Sequence, residues 1–316
     1  MEQPIGNPGT ANESTQPVRT DSGQTDSGAV APAASAVVPP ACPTCSAAAG
    51  NSGGGAGFMP GYVYAIGRIE PRFPRLSVEK EFAQVTGRDH TAGQTDRQVL
   101  HSVLSKRENR YLLRQMCWVM SVAGLETYLV VPRDPADLSA LVEALRPNPN
   151  PQDLDVVIGV KGPMAPPDMC NGMMVPIVAF DQIYSFDRHG LIQSIPKPEK
   201  IAKADFTTAA EELFDRIMQL TDNAGATDEN RALNYLVVRY HRIYEAVAEA
   251  FGRNESLSAV EVRNSSLSGT RKLSEVIFSF TNRTTDVVHK QFVRVDVTEE
   301  FPFLVTKLSP YYDRLI

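Results

Sequence analysis

Four cysteines carry the most pointed chemistry in this 316-residue chain. Two of them form Cys42-Pro-Thr-Cys45, a spacing that lets two thiolates hold one metal ion in a turn, with the proline limiting the entropy lost on binding. The other two, Cys117 and Cys170, stand alone in sequence. If all four converge they form a closed tetrahedral all-thiolate site. Zinc is the ion expected there, in a structural role, because thiolates suit it and it needs no redox change. A four-cysteine zinc site ordinarily comes from two Cys-x-x-Cys pairs, and here the second pair is two isolated residues. Two other readings compete with it. Cys117 and Cys170 can serve as small buried hydrophobes. The Cys42/Cys45 pair can be a redox dithiol, although that belongs beside a βαβ pattern. A structural disulfide is disfavoured in a reducing cytosol.

Residues for catalysis do not gather in any familiar spacing. There is no Gly-x-Ser-x-Gly elbow, no His-Glu-x-x-His, no P-loop and no Gly-x-Gly-x-x-Gly. Five histidines, at positions 90, 101, 189, 241 and 289, fall in no motif. A nucleophilic pair of Cys170 with His189 can be drawn on paper, as any cysteine and histidine can. The expectation is therefore no catalytic residue, and no bound cofactor apart from zinc.

Composition narrows the partners. A formal net charge of −6 argues against nucleic acid, which demands a basic footprint. No run of eighteen apolar residues reaches membrane-spanning length, and residues 1–30 lack the basic start and apolar run of a secretory signal. A soluble cytoplasmic protein with no membrane partner is expected. The glycosylation sequons at Asn12, Asn254, Asn264 and Asn282 then carry no meaning.

Several elements must position the cysteines. Residues 1–60 are rich in Gly, Ala, Ser and Pro, a composition that predicts a disordered tether rather than packing. From Tyr62 the chain turns β-branched and aromatic, which predicts a strand stopping at Pro71 and Pro74. Helices are expected over 77–85, with Ser77 as its N-cap, and over 96–104. His101 in the second helix reads as a surface residue. Residues 111–131 read as a hairpin turning near Gly124. On a strand, Cys117 and Trp118 face opposite ways, so a core tryptophan leaves Cys117 on the face a tethered Cys42 and Cys45 could reach. A short helix over 137–145 precedes strands over 155–160 and 175–186, which frame a loop holding Cys170. The Cys170-Asn-Gly sequence suits a tight turn.

A second unit begins after Pro198. It comprises amphipathic helices over 209–220 and 229–251, then three extended segments around 258–263, 272–280 and 287–297 as an antiparallel meander. The last stretch, 301–313, is too apolar for a free tail. The fold class expected is α+β, mixed helices with mostly antiparallel strands. It has two packed subdomains, 61–198 and 199–316, after the 1–60 leader.

Five segments supply a further signal. They are Tyr62-Val-Tyr-Ala-Ile-Gly-Arg-Ile-Glu-Pro-Arg-Phe-Pro74, Asn109-Arg-Tyr-Leu-Leu-Arg-Gln-Met-Cys-Trp118, Gly124-Leu-Glu-Thr-Tyr128, Asp155-Val-Val-Ile-Gly159 and Phe303-Leu-Val-Thr-Lys-Leu-Ser-Pro-Tyr-Tyr-Asp313. In them the chain resembles the C-terminal domain of the cyanobactin maturation proteins PatA and PatG, whose enzymes process and cyclise ribosomal peptides. That domain has no settled activity and hangs behind a protease or macrocyclase, so it supplies no catalytic residue to carry over. No subtilisin-type Asp/His/Ser motif is found here, which puts an inherited peptidase activity in doubt. The resemblance implies a non-catalytic accessory module. Such a module would bind a precursor peptide or a peptide-processing enzyme, with a homodimer as one arrangement. The rival readings are a cysteine- or zinc-dependent peptide hydrolase and a general protein-interaction module outside peptide biosynthesis.

Overall fold

In a computed structural model, residues 61–87, 93–197, 201–220 and 223–313 are described. The first half is built on five strands: β1 (Gly61–Arg72), β2 (Cys117–Val122), β3 (Leu125–Pro132), β4 (Asp153–Met164) and β5 (Pro176–Asp187). They close into a barrel in the order β1-β2-β3-β5-β4, with β1 pairing β4 to complete it. All pairings are antiparallel except β3 with β5. Closure removes the free edges that an open sheet would expose. Helices α1 (Leu76–Thr86), α2 (Asp96–Leu104), α3 (Arg110–Gln115) and α4 (Leu138–Leu145) lie between these strands in sequence.

The second half contains α5 (Arg188–Ser194), α6 (Lys203–Met218), α7 (Asp228–Arg239) and α8 (Arg242–Gly252). It ends in a four-stranded antiparallel sheet in sequence order, β6 (Glu255–Asn264), β7 (Leu273–Asn282), β8 (Val288–Asp296) and β9 (Phe303–Tyr311). The whole is α+β, as its sequence pattern implies.

Strand β1 explains how the halves meet. Side chains alternate across a strand, and β1 buries both sets. Val63, Ala65 and Ile69 join Trp118, Met120, Val130, Val157 and Phe180 together with the apolar faces of α1 to α4. Tyr64 and Ile66 instead join Phe206, Leu213, Leu236, Val247, Phe278 and Val295 from α6 to α8 and the C-terminal sheet. Strand β1 thus stands between two hydrophobic clusters and contributes one face to each.

Three local expectations need correction. Residues 110–115 form α3 and not the first arm of a hairpin. Leu112 and Leu113 are buried side by side, while Arg110, Tyr111, Arg114 and Gln115 are exposed, a helical repeat that no strand could satisfy. The pattern over 229–251 breaks into α7 and α8 at Tyr240, which leaves helical geometry and accepts a hydrogen bond from the Leu308 amide on β9 at 3.0 Å through its hydroxyl. Helix α1 starts at Leu76 with Arg75, not Ser77, in the capping position. The capping box that does form is Thr95 with Gln98 at the start of α2, where Thr95 accepts from the Gln98 amide and satisfies an otherwise orphan donor. The apolar stretch near the C-terminus is no free tail, as expected: it becomes β9, paired to β8.

Candidate functional site

Cys117 opens β2, and the two-residue period settles its neighbourhood. Trp118 enters the large core of the first half. Cys117 and Val119 point the other way, into a small apolar cluster with Leu129, Ala165 and Cys170. The loop between β4 and β5 folds over that face. Its ends are held by the Ala165 amide donating to the Val175 carbonyl at 2.8 Å, and its tip by Gly172 to Pro167 at 2.7 Å and Met173 to Cys170 at 2.9 Å. Asn171 and Gly172 both take positive φ, 46° and 84°, the left-handed turn that Asn and Gly tolerate best. The turn expected after Cys170 is present, and it presents Cys170 to Cys117.

The two cysteines lie in direct sulfur contact as a disulfide, with Cα atoms 5.9 Å apart, inside the range a disulfide requires. This differs from the expectation that no structural disulfide forms. That expectation rested on the redox compartment and not on geometry. The Cys117 sulfur also lies 3.4 Å from the Met169 carbonyl oxygen, a contact that a reduced thiol fills by donating. Beside Cys170 opens a groove of about 480 Å³, lined also by Arg72, Phe73, Glu79, Glu126, Asn171, Gly172 and Met173. Cys42 and Cys45 lie outside the described residues. Among the described residues no cluster of three or more His, Cys, Asp or Glu forms a metal site, so Cys117 and Cys170 supply two donors at most.

Other chemistry-bearing residues sit apart from this pair. His189 on α5 faces Gln193 at 2.7 Å and Glu211 at 3.8 Å, whereas Cys170 faces Cys117, so the paper pairing of Cys170 with His189 is not assembled. His289 stacks on Phe280 with ring centroids 5.1 Å apart and lies 3.2 Å from Glu255. His101 is half-buried on α2, and burial lowers its pKa. The hydroxyls of Tyr64 and Tyr184 form a short hydrogen bond, with the Arg239 guanidinium over the Tyr184 ring at 4.7 Å. Burial pushes both phenols up, which keeps them protonated at neutral pH and poor as nucleophiles.

A larger cleft, about 890 Å³, opens where β1, the β2–β3 turn and helices α5 and α6 meet, and Arg68, Glu70, Leu125, Arg188, Phe214 and Met218 are among its lining residues. A second polar centre joins Asp181, Glu300, Arg133 and Arg231. Neither was legible beforehand, because their charges come from separate segments with no shared spacing. The two-residue spacing of Arg68, Glu70 and Arg72 along a strand was the one available signal.

Comparison with known proteins agrees with this architecture. A family model described as PatG C-terminal matches residues 200–311. A solved structure titled "PatG Domain of Unknown Function" aligns with a TM-score of 0.65 at 19% identity, covering 79% of this chain and 98% of that one. At that identity the match establishes the fold. No curated protein matches the chain. The chain therefore resembles the PatG C-terminal domain. The family model reaches only one of the five segments quoted above, 303–313, and the fold match extends well beyond it.

Proposed function

We propose that this chain is a non-catalytic accessory module of ribosomal peptide maturation that binds a precursor peptide or a processing enzyme, and that a structural zinc joins its leader to its folded part. The setting is cytoplasmic, where thiols stay reduced, and the module can act as a homodimer. Among the described residues no helix is long and apolar enough to cross a membrane.

The observation that carries the zinc half of this reading is the meeting of Cys117 and Cys170 beside an open groove. Zinc–sulfur bonds of about 2.3 Å in a tetrahedron place two ligand sulfurs ~3.8 Å apart, a separation that residues with Cα atoms 5.9 Å apart reach by rotating about χ1. The groove leaves an approach for two more ligands. With four thiolates zinc would stiffen and close the site; its chemistry there is structural, and no substrate position remains open.

The placement of Cys170 against Cys117, and of His189 against Gln193 and Glu211, supports a binding role over a Cys/His hydrolase. Metal content per chain, measured on protein purified without chelator or affinity metal, tests the proposal. About one zinc per chain, lost in both Cys42→Ser and Cys170→Ser, is expected. No metal in the native protein overturns the four-cysteine site. One specific observation favours a second reading, the direct sulfur contact of Cys117 with Cys170, under which the pair is a disulfide staple and Cys42-Pro-Thr-Cys45 is only part of the tether.

A further inference from the structure

On β1 the even-numbered residues Tyr64 and Ile66 lie under the helices and sheet of the second half. The same face continues as Arg68, Glu70 and Arg72, and there the covering layer ends and the large cleft begins. Side chains two apart on a strand stand about 7 Å apart, which is also the repeat of an extended peptide. Gly67, just before Arg68, lies against β2, where a Cβ would collide with the Ser121 carbonyl, so the two strands approach closely there. Opposite stands α6, contributing Phe214 and Met218. The β2–β3 turn forms the third wall. Ala123 and Gly124 take positive φ, 49° and 83°, and this turn holds Leu125 at the cleft with 73% of its surface exposed.

The charges of the lining are unevenly matched. Arg72 pairs with Glu70 at 3.2 Å and Glu126 at 3.3 Å, and Arg188 pairs with Asp215 at 2.7 Å. Arg68 is left as the lining cation with no ion pair among the described residues. The cleft thus offers an unneutralised guanidinium beside the exposed Leu125 and the half-buried Met218, while Phe214 lies buried beneath the Arg188 guanidinium.

We propose that this cleft binds, in trans, an extended peptide segment in which a carboxylate is flanked by large apolar residues, the carboxylate meeting Arg68 and the apolar side chains meeting Leu125 and Met218. It rests on the peptide-binding part of the accessory reading and is independent of the metal. A guanidinium recognises a carboxylate by a forked, charge-assisted contact, and clefts of this size at the junction of two structural units are the usual place for such recognition.

The test is fluorescence anisotropy of the full chain with a short, end-capped synthetic peptide carrying Leu-Asp-Leu and with its Leu-Asn-Leu twin. The expected result is binding of the aspartate peptide on the order of tenfold tighter than its twin, with a comparable loss on Arg68→Gln, as suits one charged hydrogen bond. Leu125→Ser also weakens binding. Arg114→Gln, exposed on α3 and outside the cleft, leaves it unchanged. Unaltered thermal unfolding of Arg68→Gln separates lost recognition from lost fold. Equal binding of both twins, insensitive to Arg68→Gln, overturns the cleft assignment while leaving peptide binding elsewhere on the chain standing. Binding of neither peptide overturns it too, and the zinc measurement then judges the accessory reading alone. Binding that emerges only when Glu13, Asp21 and Asp26 are changed to amides also overturns it, since the leader then fills the cleft in cis.

Discussion

Asn234 of α7 donates through its side-chain amide to the backbone carbonyl of Tyr64 on β1 at 2.8 Å, across 170 positions of sequence. Only 1% of Asn234 is exposed, and its carbonyl oxygen accepts from Asn223 at 2.8 Å. Around this pair the Tyr64 amide donates to the Gly225 carbonyl at 2.8 Å, and the Tyr128 hydroxyl donates to the Ala224 carbonyl at 2.9 Å. A buried polar seam therefore fastens the segment before α7 onto the barrel.

Breaking that seam should be expensive. Asn234→Ala takes the side-chain donor from the Tyr64 carbonyl and leaves the Asn223 amide only its long 3.5 Å contact with the Ile217 carbonyl, at a cost of about 1–3 kcal/mol. Gly225→Ala should cost at least as much, since Gly225 has a φ of 72° and an added Cβ would strike the Tyr64 carbonyl. Urea unfolding checks both; midpoints unchanged from wild type would show that the seam is not needed.

Arg231 provides a second fastening. Its guanidinium, 2% exposed, donates to the carbonyls of Val297 at 2.7 Å, Glu300 at 3.3 Å and Glu299, and stacks on Tyr62 at 5.2 Å. The rigid planar fork reaches several carbonyls of one loop at once in a pre-organised geometry that a compact ammonium lacks. Arg231→Ala should lose on the order of 3 kcal/mol, because it strands buried acceptors, with Arg231→Lys falling between it and wild type. The decisive measurement is the order of the three unfolding midpoints.

The carboxyl of Glu300 makes the same region sensitive to pH. Burial, then the hydrogen bond and charge of Asp181, raise its pKa from 4.5 to about 7, against the opposing pull of Arg133 and Arg231. Arg133 lies 2.7 Å from Asp181 and 3.5 Å from Glu300. A carboxyl whose folded pKa lies above its unfolded value holds its proton more tightly when folded. Its contribution is thus complete below 4.5 and is lost as pH rises through about 7. The melting temperature should fall between about pH 5 and about pH 8, and Glu300→Gln, permanently neutral, should remove most of that fall. An identical pH profile in the variant would assign the dependence to other groups.

Thiol counting separates the two states of the cysteines. Zinc held by four thiolates, once chelated under denaturing conditions, should free all four cysteines of the chain for a thiol reagent. A Cys117–Cys170 disulfide should free only the remaining two, Cys42 and Cys45. Two reactive thiols in protein prepared without oxidant would favour the staple.

Much of the local structure was legible. Val63 and Ala65 against Tyr64 and Ile66 declare a strand buried on both faces, and the opposite orientation of Cys117 and Trp118 follows from strand period alone. The Cys170-Asn-Gly turn could be read from residue types with a preference for positive φ. The misreadings share a cause. Residues 111–115 read as part of the neighbouring strand because an apolar run looks alike in either state until its repeat is counted. At the break, the Tyr240 hydroxyl accepts from the Leu308 amide, a contact that no local pattern encodes.

By itself, then, the sequence determined the element types, the α+β class and the orientation of Cys117 away from the core, because these depend on periodicity and on conformational preferences acting within a few residues. Tertiary structure alone decided that Cys117 meets Cys170 across 53 positions, that Asp181 meets Glu300, and that Arg68 is left unneutralised beside Leu125. Those relationships depend on barrel closure and on which strand pairs with which. Strand pairing is settled by the free energy of the whole core, so residues remote in sequence acquire their neighbours only when the core forms.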